Sequence, residues 1–212
     1  MNDLCAEKGK KLFFNKSLLS DVSFKVEEGS IKAHKALVTS RCDVISTMFN
    51  GRFAESSHKE ITIGDTSLPA LLAYLEYLYT DHSPIESSDA VGILELANRF
   101  GTPRLVALCE LYISKMVEKA TAISVDKADI DVIGLLQFAQ KCGANQLAAF
   151  CLHFISVNYG PMSKRSEWAN LEGENLKYVE EHRWPPLSYL KEVEAYEKAI
   201  QKSGEDPKCA IM

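Results

Sequence analysis

The chain has 212 residues, 46% hydrophobic and 25% charged, with a net charge of −5, the make-up of an ordinary globular protein with enough length to bury a core. That balance argues against a broad nucleic-acid footprint, the short Lys8, Lys10, Lys11 run reading as a solvated end, and no run of about 20 apolar residues is present to span a bilayer. Met1 to Gly9 is polar, so no secretory leader is expected, and six cysteines (Cys5, Cys42, Cys109, Cys142, Cys151, Cys209) without a CxxC pair are expected to be reduced thiols of a cytosolic protein.

Residues 1–19 form a lead-in with apolar clusters at Leu12-Phe13-Phe14 and Leu18-Leu19, the second expected to pack just before the first strand. Val22, Phe24 and Val26 alternate with polar residues, Glu28-Gly29 can turn, and Ile31 and Ala33 resume the apolar face, which predicts a hairpin. From His34 the period changes: Ala36, Leu37, Ser40, Val44, Ile45, Met48 and Phe49 follow helical spacing. A polar loop after Glu55 leads to a short strand carrying Ile61 and Ile63, ended by Gly64. Thr66 or Ser67 can cap a helix with Pro69 in its first turn and Leu71, Leu72, Leu75, Leu78 and Tyr79 on one face. Ser88 is the expected cap of the next helix, with Asp89 in its first turn.

From there the sequence repeats at an offset of 42, pairing Leu94 with Leu136, Ala97 with Ala139, Gly101 with Gly143, Leu105 with Leu147, Cys109 with Cys151 and Ile113 with Ile155. Each unit reads as a helical hairpin in which Gly ends the first helix left-handed and a cap starts the return: Thr102 before Pro103, then Asn145, or Ala144 by position. Two copies are too few for a solenoid, so a short helical stack is expected, with residues 118–129 as a polar connector. Gly160-Pro161 is expected to end the second hairpin, Leu176 and Val179 to lie on a short helix, and Trp184-Pro185-Pro186 to break it before an amphipathic helix carrying Leu190, Val193, Tyr196 and Ile200.

The motifs Asp21-Val22-Ser23-Phe24, Ala33-His34-Lys35, Met48-Phe49 and Tyr77-Leu78-Tyr79-Thr80 together resemble a BTB (POZ) domain. The later stretch, from Asn158-Tyr159-Gly160-Pro161 through Trp184-Pro185-Pro186 to Tyr189-Leu190-Lys191-Glu192, is similar to the ends of Rho-related BTB proteins. The resemblance covers the chain from about residue 12. It implies an α+β fold, a short three-stranded BTB core with surrounding helices followed by an all-helical 3-box extension. The divisions it suggests are a lead-in at 1–19, the BTB domain at 20–118, a 3-box hairpin at 119–160, a Rho-related BTB helical region at 161–203 and a tail at 204–212. Members also carry an upstream GTPase-like domain and a further BTB domain. Neither is in this sequence, which has no GxxxxGK[ST] loop, so nucleotide binding is not carried over and a C-terminal fragment or short isoform is expected.

Phe53-Ala54-Glu55 looks like the apolar-x-Glu motif of cullin-binding members, an aromatic anchor with a carboxylate at its rim; alone, it would read as a solvated loop. Met48, Phe49, Tyr79 and Asn98 are the other cullin-contact candidates, with packing or capping as the plain alternative for the last two. Asp21 and His34 resemble the polar pair such domains keep near their dimer interface, a buried carboxylate beside an imidazole in a structural or dimer role rather than a catalytic one; the plain alternative is that His34 merely starts a helix at the surface. Cys142, Cys151 and His153 do not make a metal or thiol-protease site, since Cys151 and His153 point to different sides of a helix. Cys209-Ala210-Ile211-Met212 is a CaaX box whose terminal Met favours farnesyl; Lys202 and Lys208 are offset by Glu205 and Asp206, so one lipid would need a second membrane signal, expected to be a partner.

The expected function is a non-catalytic adaptor that binds cullin-3 and recruits a substrate to a ubiquitin ligase. Expected partners are cullin-3, a second copy or another BTB protein, an unidentified substrate, farnesyltransferase and a membrane through the lipid, on the cytosolic face of an internal membrane such as Golgi or endosome. No cofactor, metal or nucleic acid is expected. The rival is an oligomeric scaffold for membrane trafficking or small-GTPase signalling that does not bind cullin; an enzyme acting through Cys and His lacks a supporting constellation.

Overall fold

The computed structural model describes residues 4–50, 59–82, 85 and 89–203. Residues Met1–Met116 with Lys141–Leu147 make one compact unit, and Val117–Gln140 with Ala148–Met212 a second. The fold is α+β, with the strands in the first unit.

The first unit opens with α1 (Leu4–Phe13), a helix inside the predicted lead-in. The hairpin follows, β1 (Val22–Val26) antiparallel to β2 (Gly29–Ala33), with Phe24 opposite Ile31 and Val22 opposite Ala33. β3 (Glu60–Thr62) runs parallel to β1, Ile61 beside Phe24, giving the order β2-β1-β3. Alternation puts Val22, Phe24, Val26, Ile31, Ala33 and Ile61 on one buried face. Leu18 and Leu19 do not pack ahead of β1; both are exposed, and Leu19 sits at φ +57°, a left-handed backbone uncommon for a leucine.

The helical run after His34 is two helices, α2 (Lys35–Arg41) and α3 (Asp43–Asn50). Cys42 breaks it in an extended conformation, φ −144° and ψ 112°. That turn drives its thiol inward, where Sγ lies 3.3 Å from the Phe100 carbonyl it donates to and accepts from Ile45 N at 3.4 Å and from the Tyr74 hydroxyl at 3.6 Å. Burial raises the Tyr74 phenol pKa, although a hydrogen bond with Thr102 works against it.

α4 (Leu68–Thr80) starts where expected: Ser67 Oγ accepts from Ala70 N at 3.2 Å, Pro69 lies in the first turn, and the Glu28 carboxylate accepts from Leu68 N at 2.8 Å. α5 (Ala90–Arg99) has Asp89, not Ser88, at its cap position, and Asp89 makes no side-chain cap; Ser88 lies outside the described residues. Gly101 and Gly143 both take the left-handed backbone, φ +61° and +68°, that the repeat required of them. α6 (Pro103–Thr121) runs further than predicted, into the stretch read as a connector.

α7 (Val132–Lys141) and α8 (Asn145–Val157) form the second repeat. The cap position of α8 is Ala144, which has no group to offer. The buried Glu110 supplies it instead, Oε1 accepting from Gln146 N at 3.0 Å and Leu147 N at 3.1 Å.

In the second unit Gly160-Pro161 does not simply end a helix; it sits inside a short α9 (Tyr159–Met162). A 3-10 turn (Ser166–Asn170), α10 (Gly173–His182) and α11 (Leu187–Ser203) complete the unit. Val132, Ile133, Leu136, Cys151, Ile155, Met162, Leu171 and Val179 are buried. Arg165 closes the long loop before α7: its guanidinium donates to the carbonyls of Val125, Ala128 and Ile130 at 2.8–2.9 Å and pairs with Glu167. That planar fork suits Arg and not Lys. Past α10, Arg183 lies 3.7 Å over the Tyr159 ring, Trp184 N donates to the Ser156 carbonyl at 2.9 Å, and the Trp184–Pro185 peptide is cis.

Candidate functional site

Two surfaces of the first unit gather most of the described residues that the sequence singled out. The first is built on His34, where β2 ends and α2 begins. Its backbone N–H donates to the Tyr79 hydroxyl at 3.0 Å, its Nδ1 lies 2.8 Å from the same hydroxyl, and its Nε2 lies 2.7 Å from the Leu18 carbonyl. A carbonyl can only accept, so Nε2 donates to Leu18, and Nδ1 shares its hydrogen bond with the Tyr79 hydroxyl. Burial pushes the Tyr79 phenol up to about 12.

Asp21 and His34 are therefore neighbours but not a bonded pair, a correction to the expected carboxylate–imidazole contact. Asp21 Oδ1 accepts from Lys35 N at 2.8 Å and caps α2, whose own cap residue His34 makes no side-chain cap. Phe13 meets the His34 ring edge-on at 5.5 Å, and Phe14 meets Tyr79 at the same distance. Phe13, Leu19, Ala36 and Leu37 line a groove of about 480 Å³ around Asp21, His34 and Tyr79. Leu12, Leu18, Leu19 and Leu37 are exposed.

The second surface is α3 with the turn between α5 and α6. Cys42 binds the Phe100 carbonyl, and a side chain at Gly101 would stand 3.7 Å from Val44, so the start of α3 rests on that turn. Met48 is half-buried and Asn98 exposed. Phe49 is only 8% exposed, with the Lys35 ammonium 4.7 Å from its ring centroid, so it packs the core more than it faces outward. Tyr79 belongs with His34 rather than with Met48 and Asn98. Phe53, Ala54, Glu55 and Cys209 lie outside the described residues.

A third cluster was not singled out from the sequence. Asp81 ends α4 in a left-handed conformation, hydrogen-bonds Arg41 and lies 3.8 Å from Arg104. The Arg41 hydrogen bond, aided by the charges of both arginines, holds its carboxyl below the usual range. Beside it Ile85, Leu108, Leu111 and Tyr112, with Lys115, line a groove of about 420 Å³. The sequence signal for Asp81 was slight: an Asp where a helix must leave left-handed. Arg41 and Arg104, 40 and 23 residues away, had none.

These arrangements suit recognition. Burial pushes the Cys109 and Cys151 thiols up to about 12, away from nucleophilic thiolate, and Cys142 upward as well. Among the described residues no three His, Cys, Asp or Glu side chains converge as metal ligands, and no helix is long and apolar enough to cross a membrane.

Comparison with known proteins adds to this geometry. Residues 11–116 match the BTB/POZ domain family. The chain is 34% identical over 203 residues to human Rho-related BTB domain-containing protein 3, covering 95% of this chain and 33% of that protein. It is 42% identical over 187 residues to the human protein 2 and 40% over 187 to the human protein 1, covering 87% of this chain and 26% and 27% of those proteins. It thus spans about a third or less of the length of these curated relatives. Among solved structures, the BTB domain of zebrafish PATZ1 aligns at 21% identity and a TM-score of 0.39, covering 45% of this chain and 76% of that one.

Proposed function

The chain belongs to the BTB/POZ-domain proteins, with Rho-related BTB proteins as its relatives, and on that footing we propose that it is a non-catalytic adaptor that binds cullin-3 and brings a substrate to a ubiquitin ligase. The observation that carries this reading is the BTB match across residues 11–116 on a chain that keeps Phe53-Ala54-Glu55 directly after α3. In this reading the half-buried Met48 and exposed Asn98 supply further apolar and polar contact, while Phe49 holds α3 in place from the core. The aromatic at 53 acts as the anchor and Glu55 as the orienting charge. Prenylation at Cys209 by farnesyltransferase belongs to the same reading and brings the adaptor to the cytosolic face of an internal membrane.

Titration calorimetry of the chain with the cullin-3 N-terminal domain tests it. Submicromolar binding that is lost in the Phe53→Ala, Glu55→Ala double variant is expected. A folded wild-type chain that binds no cullin refutes the adaptor.

One observation favours self-association as a second reading. The exposed Leu19 and Leu37 line the groove at His34, and Leu18, whose carbonyl bonds the His34 ring, is exposed as well, an apolar surface a second BTB copy can cover. Leu18→Asp with Leu37→Asp should convert a dimer to a monomer in sedimentation velocity; a wild-type monomer at high concentration removes this reading.

A further inference from the structure

We propose that α11 lies on a lipid bilayer, its tyrosine face supplying the second attachment that a single prenyl chain requires; this rests on the prenylation at Cys209 proposed above. Tyr189, Val193 and Tyr196 stand at i, i+4 and i+7 of α11 and so share one face. Tyr189 is 52% and Tyr196 57% exposed, at the ends of a stretch roughly 10 Å long. Trp184, 61% exposed, stacks on Tyr189 with ring centroids 6.5 Å apart and planes within 14°. Three large rings, each apolar in body and polar at one tip, are thus left uncovered on one side of the helix. Rings of that kind settle at the level of lipid headgroups, where one end is dry and the other wet.

Two further facts select a bilayer as the occupant. Cys209 stands six residues beyond the end of α11, a length that even fully extended spans at most ~20 Å. A lipid there keeps the helix within reach of the surface the lipid enters. One chain gives only marginal, reversible attachment, so a second contact is needed. Electrostatics does not provide it: α11 carries Lys191, Lys198 and Lys202 against Glu192, Glu194 and Glu197, and Lys198 is already 3.7 Å from Glu194. On α11 itself the aromatic face is the contact that remains, taking the place of the partner expected from the sequence, and binding that depends on it is indifferent to anionic lipid.

The test uses the full chain, farnesylated by farnesyltransferase with farnesyl diphosphate and checked by intact mass, sedimented with phosphatidylcholine vesicles with and without phosphatidylserine. Tyr189→Ser with Tyr196→Ser should lower vesicle partitioning about ten-fold, with the melting temperature and farnesyl transfer unchanged. Phosphatidylserine should change little. Brominated phosphatidylcholine should quench the emission component that disappears in Trp184→Phe. A farnesylated wild-type chain that binds vesicles no better than the double variant, with Trp184 unquenched, overturns the proposal and leaves prenylation standing. A double variant that loses self-association but keeps its vesicle binding assigns the face to a protein contact and overturns it equally. If the full chain accepts no farnesyl group, the prenylation reading falls, and this inference falls with it.

Discussion

Replacing Glu110 is the sharpest perturbation of the helical repeat. The side chain is buried, its residue 6% exposed, and one carboxylate oxygen holds two N–H groups in the first turn of α8, at 3.0 and 3.1 Å, where Ala144 offers no cap. Glu110→Ala removes a cap worth about 0.5–2 kcal/mol and leaves two N–H groups without their acceptor. The negative charge also complements the helix N-terminus. Part of this is offset because a carboxylate no longer has to be desolvated, so a net loss of about 2–3 kcal/mol is expected. At roughly 2–4 °C per kcal/mol for a chain of this size, the melting temperature should fall by roughly 4–12 °C. Glu110→Gln keeps an acceptor oxygen but not the charge, and should cost about 1 kcal/mol. Differential scanning calorimetry of the three proteins, with amide exchange at Gln146 and Leu147, reads both effects. Equal losses for Ala and Gln, or an Ala variant within ~0.5 kcal/mol of wild type, would refute the capping argument.

Four other outcomes follow from the same structure. Arg165→Lys should cost about 2–3 kcal/mol, because an ammonium cannot reach three carbonyls as the planar fork does, and amide exchange across residues 125–131 should quicken. Tyr79→Phe leaves His34 N and Nδ1 without their partner and should lower stability by about 1–3 kcal/mol at neutral pH. Since the Tyr79 phenol and the Cys109 and Cys151 thiols are raised to about 12, the stability tied to their neutral forms is complete below their ordinary values and disappears as pH rises toward 12. Melting temperatures should therefore hold to about pH 9 and then drop, less steeply in Tyr79→Phe. Asp81 behaves in the opposite sense. Its lowered carboxyl contributes above the ordinary carboxylate range and loses that contribution as pH falls through its folded value. With its side chain 40% exposed the effect is screened to under about 1 kcal/mol, and it should vanish in Asp81→Asn or in high salt.

Much of the fold was legible because it is local. The alternation of Val22, Phe24 and Val26 appears as β1, Ser67 caps α4 as its type and place required, and the repeated Gly101 and Gly143 end their helices at positive φ. The break at Cys42 was not legible, since Ala36 through Phe49 keep helical spacing straight across it. The thiol it turns inward meets Phe100 and Tyr74, both far along the chain and without a trace in the spacing around residue 42. Of the candidate site residues, Asp21 and His34 both line one groove, but their bonds go to Lys35, Leu18 and Tyr79.

Sequence by itself therefore determined most of the elements and the family: periodicity, turn residues and short motifs act between neighbours and need no knowledge of the rest. Tertiary structure alone decided which polar groups meet. Tyr79 reaches His34 across 45 residues, Glu110 reaches Leu147 across 37, and Arg165 grips Val125 across 40. A side-chain donor or acceptor carries no periodic trace of its partner, and only the convergence of distant segments, driven by apolar burial, selects one among the many its chemistry would accept.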